Sequence, residues 1–202
     1  MHCHSTVSDG RQTVEELKED FMEKGYSIIA FTDHDVFIRH NDFSDENFLA
    51  LNGYEVEFYG WTPDNEDDFS LIKAPHFNVI ALDPDIEMQQ CFHRTRYFIG
   101  NGVQSKWNVK FDESKPDYVR AYDPENINFL LKSCRDAGFY TIYNHPVWSL
   151  ENILDYKNYT EIDGFEIMNG SSHIEGFGDF NFQGFDDLLR MGRKISCVAG
   201  DD

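Results

Sequence analysis

The chain alternates between short apolar runs and amphipathic segments. "SIIAFT" (27–32), "NGYEVEF" (52–58), "HFNVIAL" (76–82), "FYTIYN" (139–144), "DGFEIMN" (163–169) and "KISCVAG" (194–200) have strand length and a strongly apolar character. "TVEELKEDFMEKG" has helical spacing instead. Val14, Leu17 and Phe21 share one face, Thr13 and Glu16 form a capping box, and Gly25 fits the stop. "DPENINFLLKSCRDAG" predicts a second helix, with Asp123 as cap, Pro124 in the first turn and Gly138 as stop. "FDDLLRMG" predicts a third, shorter one. Buried strands that alternate with helices predict a mostly parallel α/β domain, as an open sheet or a barrel. The acidic, turn-rich stretch 59–73 reads as a loop, and the polar stretch 99–122 as an insertion over one end of the domain.

Composition narrows this picture. At 202 residues and 41% hydrophobic, the chain can bury one sizeable core, and 18 Phe and 10 Tyr can fill it. The net charge of −20, from 37 acids against 17 bases, argues against nonspecific nucleic-acid binding, which needs clustered Lys and Arg. Cys3, Cys91, Cys134 and Cys197 form no CxxC pair and suggest no disulfide framework. No apolar run is long enough to span a membrane and no signal peptide is visible, so a cytoplasmic location is expected. Residue 1 precedes a dense motif and residue 202 lies inside one, so the chain reads as one domain trimmed at both ends.

The chemistry gathers at the ends of the apolar runs. "SIIAFT" runs into Asp33 and His34, "FYTIYN" into His145, and "KISCVAG" into Asp201 and Asp202. In barrels of this class the strand C-terminal ends form the active face. "MHCHSTVSDG" opens the chain with His2 and His4, which point the same way in an extended segment while Cys3 points the other. With His34, Glu55, His76 and His145 also at strand positions, a metal centre is expected. Mixed His and carboxylate donors suit Zn, Mn or Fe without a thiolate. His76 begins its strand rather than ending it. It reaches the common rim only if residues 76–82 pair antiparallel with 52–58.

"HCHSTVSDG", "FTDHD", "GYEVE", "HFNVIAL", "NHP" and "AGDD" follow one another in an order and spacing that resembles the PHP (polymerase and histidinol phosphatase) family. The resemblance implies a distorted (β/α)7 TIM-like barrel with two or three divalent ions at the strand C-terminal ends. It places His2, His4, Glu55 and Asp202 on a first ion. Glu55 bridges to a second, held also by His76 and His145, and Asp9 and His34 hold a third. In the family a histidine two residues beyond the closing aspartate completes the third site, and the sequence ends before that position. Glu57 shares a face with Glu55 and Asp201 adjoins Asp202; the patterns Gly-x-Glu and Gly-x-Asp select Glu55 and Asp202.

The implied activity is phosphoester hydrolysis of a small molecule by an ion-activated water, in which the ions also offset the substrate's charge. Glu55 and His34 are the expected catalytic residues, with His34 or a water it orients as proton donor to the leaving group and Asp33 orienting a ligand. Arg94, Arg96, Asn169 and His173 are the candidate substrate-binding residues. His40, His93 and the three tryptophans, Trp61, Trp107 and Trp148, read as ordinary packing or surface residues. The competing readings are an amidohydrolase-like metallohydrolase and a non-catalytic PHP-like metal-binding module of a larger protein.

Overall fold

The computed structural model describes residues 1–61, 72–178 and 180–202. Most of the loop expected over 59–73 lies outside the described residues.

Eight strands and six α-helices are described. The strands are β1 (Ile28–Phe31), β2 (Leu49–Glu57), β3 (His76–Ala81), β4 (Met88–Gln89), β5 (Lys110–Phe111), β6 (Phe139–Tyr143), β7 (Gly164–Asn169) and β8 (Ser196–Gly200). The helices are α1 (Val14–Glu23), α2 (Gly102–Ser105), α3 (Pro124–Asp136), α4 (Ile153–Tyr156), α5 (Gly170–Ile174) and α6 (Phe182–Arg190). Six strands form one sheet in the order β1-β2-β3-β6-β7-β8, and β4 and β5 make a separate pair. Within the large sheet β1–β2, β6–β7 and β7–β8 are parallel. Only β3 runs against its neighbours, pairing antiparallel with β2 and with β6. This is the hairpin that the position of His76 required.

The two long helices begin and end where the sequence predicts. Thr13 accepts from the Glu16 amide while the Glu16 side chain takes the Thr13 amide, closing the capping box of α1. Asp123 caps α3 and Gly138 turns the chain out of it at φ +93°. In α3 the fully buried side chains are Ile127, Leu130, Leu131 and Cys134, one helical stripe. The stripe packs on Tyr54, Val56, Phe77, Val79 and Phe139 of the sheet. Each large apolar side chain so buried contributes ~1.5–3 kcal/mol. On the other side α1 buries Val14 and Leu17 against Phe31, Phe48 and Ala50.

The first residues join the two edges of the sheet. The Thr32 amide donates to the Cys3 carbonyl beyond β1, and the Asp201 and Asp202 amides donate to the His2 carbonyl beyond β8. The sheet is therefore curled enough for one extended segment to reach both margins. The segment 99–122 holds α2, a 3-10 turn and β5, and it packs on the loop after His4: the Asn101 amide donates to the Ser8 carbonyl at 2.7 Å. No helix among the described residues is long and apolar enough to cross a membrane.

Candidate metal centre

Glu55 is the hub of the site. It is fully buried near the end of β2, where the backbone of His34 bridges to it in parallel and Asn78 of β3 lies opposite. Its Oε1 lies 3.1 Å from His2 Nε2, 3.3 Å from His76 Nδ1 and 3.4 Å from His145 Nε2. Its Oε2 lies 3.1 Å from His34 Nδ1 and 3.4 Å from His4 Nε2. Asp202 Oδ1 approaches His2 and His4 at 3.1 and 2.9 Å. Asp9, on the loop after His4, comes to 3.5 Å from His4 and 3.6 Å from His34.

These groups resolve into sets whose donor atoms fall within 4.8 Å of one another: His2, His4, Glu55 and Asp202; Glu55, His76 and His145; His4, Asp9 and His34; and His34, Glu57 and His76. The first three bring together every residue expected to ligate an ion. The donor set fits divalent ions on a further count. His4 Nδ1, His34 Nδ1, Glu55 Oε2 and His76 Nε2 are buried without a hydrogen-bond partner. Orphaned buried polar atoms are costly, and here they sit within the ligand sets. Two of the residues also hold strained left-handed backbone, His145 at φ +23° and Asp202 at φ +62°. Burial pushes the Cys3 thiol up to about 12, and it faces Val14 and Leu17 in the core, so no thiolate competes.

Charge coupling inside the cluster is strong. Burial alone would lower the His4 imidazole, but hydrogen bonds to Asp202 and Glu55 outweigh it and push it up to about 10. His2 and His145 are raised in the same way, against burial, by the surrounding carboxylates. Burial wins at His34, lowered to about 4, and at His76. Burial opposes ionisation of Glu55 and Asp202 as well, but the histidines hold both well below the carboxylate range. A neutral His34 is suited to binding an ion.

Asp33 is placed as an orienting residue, and the substrate-binding candidates are relocated. Asp33 is buried, and its oxygens accept from the amides and hydroxyls of Ser5 and Ser8. It anchors the loop that carries His4 and Asp9 and does not face the cavity. Asn169 donates to Asp202 Oδ2 at 3.1 Å and to Glu166 Oε2 at 3.0 Å, so it positions a ligand residue rather than meeting substrate. Arg94 is bound to Asp117 at 2.6 Å and lines a separate cavity with Phe111 and Phe129. Arg96 is exposed and does not line the metal cavity. His173, expected in a glycine-rich loop, is exposed on helix α5 and likewise does not line it.

Two positioning residues were not anticipated. Glu166 takes His2 Nδ1 at 3.1 Å and the His145 amide at 2.9 Å, and Asn144 donates to Glu55 at 2.6 Å. The signal for Glu166 was a single acid inside an apolar strand, "FEIM". A ligand histidine whose second nitrogen meets a carboxylate is fixed in tautomer and direction.

The cavity over the cluster is about 230 Å³, walled by Tyr59, Ile99, Trp148, Ser171 and Glu175 above Asp9, His34, Glu55, Glu57, His76, His145 and Asp202. Trp148 is not a packing residue alone. Its ring lies 5.1 Å from His76 and 5.0 Å from His145, and its indole N–H meets Glu175 at 3.0 Å.

The PHP domain family matches residues 1–176. The chain belongs to the PHP domain family. No match is found among curated proteins. Two solved structures share the fold. One is an amidohydrolase from Chromobacterium violaceum with bound sulfate and no metal, at 17% identity and a TM-score of 0.57, covering 100% of this chain and 85% of that one. The other is a Bifidobacterium adolescentis protein provisionally named a metal-dependent phosphoesterase, at 14% identity and a TM-score of 0.55, with the same coverage. These two neighbours agree with the curled α/β sheet described above.

Proposed function

We propose that this PHP domain is a metal-dependent hydrolase that cleaves a small-molecule phosphoester at a di- or trinuclear centre. The observation that carries the reading is the convergence of five histidines and Asp202 on Glu55, with four buried donor atoms left unpartnered. Membership of the PHP family and a fold shared with a provisionally named phosphoesterase support it. Divalent ions such as Mn, Zn or Fe supply a water of lowered pKa and positive charge for the phosphoryl oxygens.

The chain's own residues prepare this. His2, His4, Glu55 and Asp202 would hold one ion, and Glu55, His76 and His145 another. Glu166 and Asn169 fix the directions of His2 and Asp202, while Asn144 fixes Glu55. Trp148, Tyr59 and Ile99 wall the cavity and restrict water around the bound ester. We propose as well that residues 1–4 serve as a seventh strand, giving a distorted (β/α)7 barrel; their main-chain bonds to both sheet edges support this.

The test is hydrolysis of p-nitrophenyl phosphate, bis-p-nitrophenyl phosphate and an anilide by chelator-stripped protein reloaded with Mn or Zn. Phosphoester cleavage should require the ion. His145→Ala and Glu55→Ala should lower it at least ~100-fold, the scale of losing one preorganised charge-stabilising group. Cleavage of the anilide alone would favour the amidohydrolase-like reading, and full activity in both variants would remove the mechanism.

A further inference from the structure

Glu57 is a buried carboxylate of the cavity that the ligand assignments above leave unused. It follows Glu55 by two residues on the same strand, so both side chains leave β2 on the same face. In the β2–β3 ladder Glu57 lies directly opposite His76. Cross-strand partners of an antiparallel pair have adjacent side chains. Glu57 Oε2 stands 3.7 Å from His76 Nε2, too far for a hydrogen bond, and that nitrogen is buried with no hydrogen-bond partner. The His76 ring thus presents one nitrogen to each glutamate, Nδ1 to Glu55 and Nε2 to Glu57.

The charges around Glu57 leave it facing the histidines. The nearest guanidinium, Arg120, is buried and engages Asp35 with both terminal nitrogens, while it touches Glu57 only at the main-chain carbonyl. Tyr59 donates to Glu57 Oε2 at 2.8 Å, which fixes the direction of the carboxylate. Glu57 is 3% exposed, whereas the Asp9 side chain is 42% exposed. Water can solvate Asp9; it cannot do so for Glu57, so an ionised Glu57 needs a cation beside it.

We infer that His34, Glu57 and His76 form a buried cation position of this chain, to which Glu57 contributes a ligand beyond those the family pattern selects. One donor atom of each lies within 4.8 Å of the others. Ligand bonds of about 2.0–2.2 Å place donor atoms ~3–4.4 Å apart around one ion, so a small movement of the side chains closes the set. His34 and His76 are shared with the neighbouring sets. His76 offers Nε2 here and Nδ1 to Glu55, so this position uses a nitrogen that the Glu55 set does not. The ligand class is a divalent cation that accepts two imidazoles and a carboxylate, such as Mn or Zn. The inference rests on the metallohydrolase reading of the same cavity.

The experiment counts and locates ions. Chelator-stripped wild-type protein and Glu57→Gln are dialysed against Mn and analysed by mass spectrometry, with circular dichroism as the check on folding. Glu57→Gln keeps the shape and an oxygen for Tyr59 while removing the charge. It should lose one ion relative to wild type. Wild-type crystals grown with Mn give a second readout that does not depend on a variant folding. Anomalous density bonded to Glu57, His34 and His76 would establish the position. Equal ion counts in wild type and Glu57→Gln would overturn the inference, as would anomalous peaks around Glu55 with none at Glu57, and both results leave the metallohydrolase reading standing. Protein that binds no Mn at all would sink both.

Discussion

At the scale of single residues, the site is defined by histidines shifted in opposite directions, some raised by the carboxylates and others lowered by burial. His4 is pushed from 6.5 up to about 10 by hydrogen bonds to Asp202 and Glu55 that overcome its burial. A base whose folded pKa is raised stabilises the fold fully below its unfolded pKa and loses that contribution as pH climbs through the folded value. His34 is lowered to about 4 by burial, so its effect has the opposite sign and stability falls as pH drops from 6.5 toward 4. Glu55 and Asp202, held low by the histidines, add to the acid-side loss. Metal-free protein should therefore have its highest Tm near pH 6.5, with an alkaline limb reaching to about 10. A bound ion needs His4 deprotonated, so saturating Mn should flatten that limb. Thermal scans in chelator and in Mn across pH check this, and a chelator curve flat above 6.5 would contradict the assignment of His4. The cluster of candidate ligands was legible in the sequence because His and acids gather at the ends of apolar runs, while their division into sets came from the resemblance to the PHP family. Arg94 was misread because local sequence does not show which carboxylate a guanidinium meets; here it is Asp117, 23 residues on.

At the scale of elements, register decides which side chains share a rim. The antiparallel course of β3 could be read from the chain because His76 starts its strand and Glu55 lies near the end of its own. The irregularity in β7 could not. Glu166 pairs with Val198 and Met168 with Ala199, so Ile167 is an extra residue in that strand. In an unbroken strand residues three apart face opposite ways, but the bulge returns both Glu166 and Asn169 to the metal side. Nothing in "FEIMN" marks it, since apolar periodicity is blind to a single inserted residue. The β4–β5 pair was equally hidden, with two residues in each strand and no alternation to detect. The close crossing of β8 over the first residues yields a prediction. A side chain at Gly200 would place its Cβ 2.3 Å from His2 Cβ and 2.7 Å from Glu166 Oε1. Gly200→Ala should therefore displace His2 from Glu166, cost ~1–3 kcal/mol by overpacking, and weaken Mn binding by ~10–100-fold, as loss of a ligand's positioning partner does. Denaturant unfolding and calorimetric titration measure the two effects. Unchanged Mn affinity would mean that the contact between β8 and His2 does not hold the ligand in place.

At the scale of the whole molecule, the sequence shows an excess of acids and the fold shows where part of it collects. The chain carries −20 in formal charge, and Asp9, Glu55, Glu57, Glu166 and Asp202 converge on one rim. Like charges gathered in a partly dry site oppose the compact state, and divalent ions there offset them. The ligands come from the first residues, the last residue and the strands between, so an ion ties together parts of the chain that meet only in the folded state. Binding to the folded chain alone stabilises it by about 4 kcal/mol at a thousandfold excess over Kd. Each kcal/mol moves Tm by ~2–4 °C in a chain of this size. Mn at that excess should therefore raise Tm by roughly 10 °C over chelator-treated protein. Simple screening of surface acids also raises Tm, but it depends on ionic strength rather than on the ion. NaCl at matched ionic strength should give only a small part of the shift, and His2→Ala should lose most of the Mn-specific remainder while keeping the salt response. If NaCl reproduced the whole shift, or His2→Ala responded to Mn as wild type does, the ions would be acting on the surface and not joining the ends of the chain at Glu55.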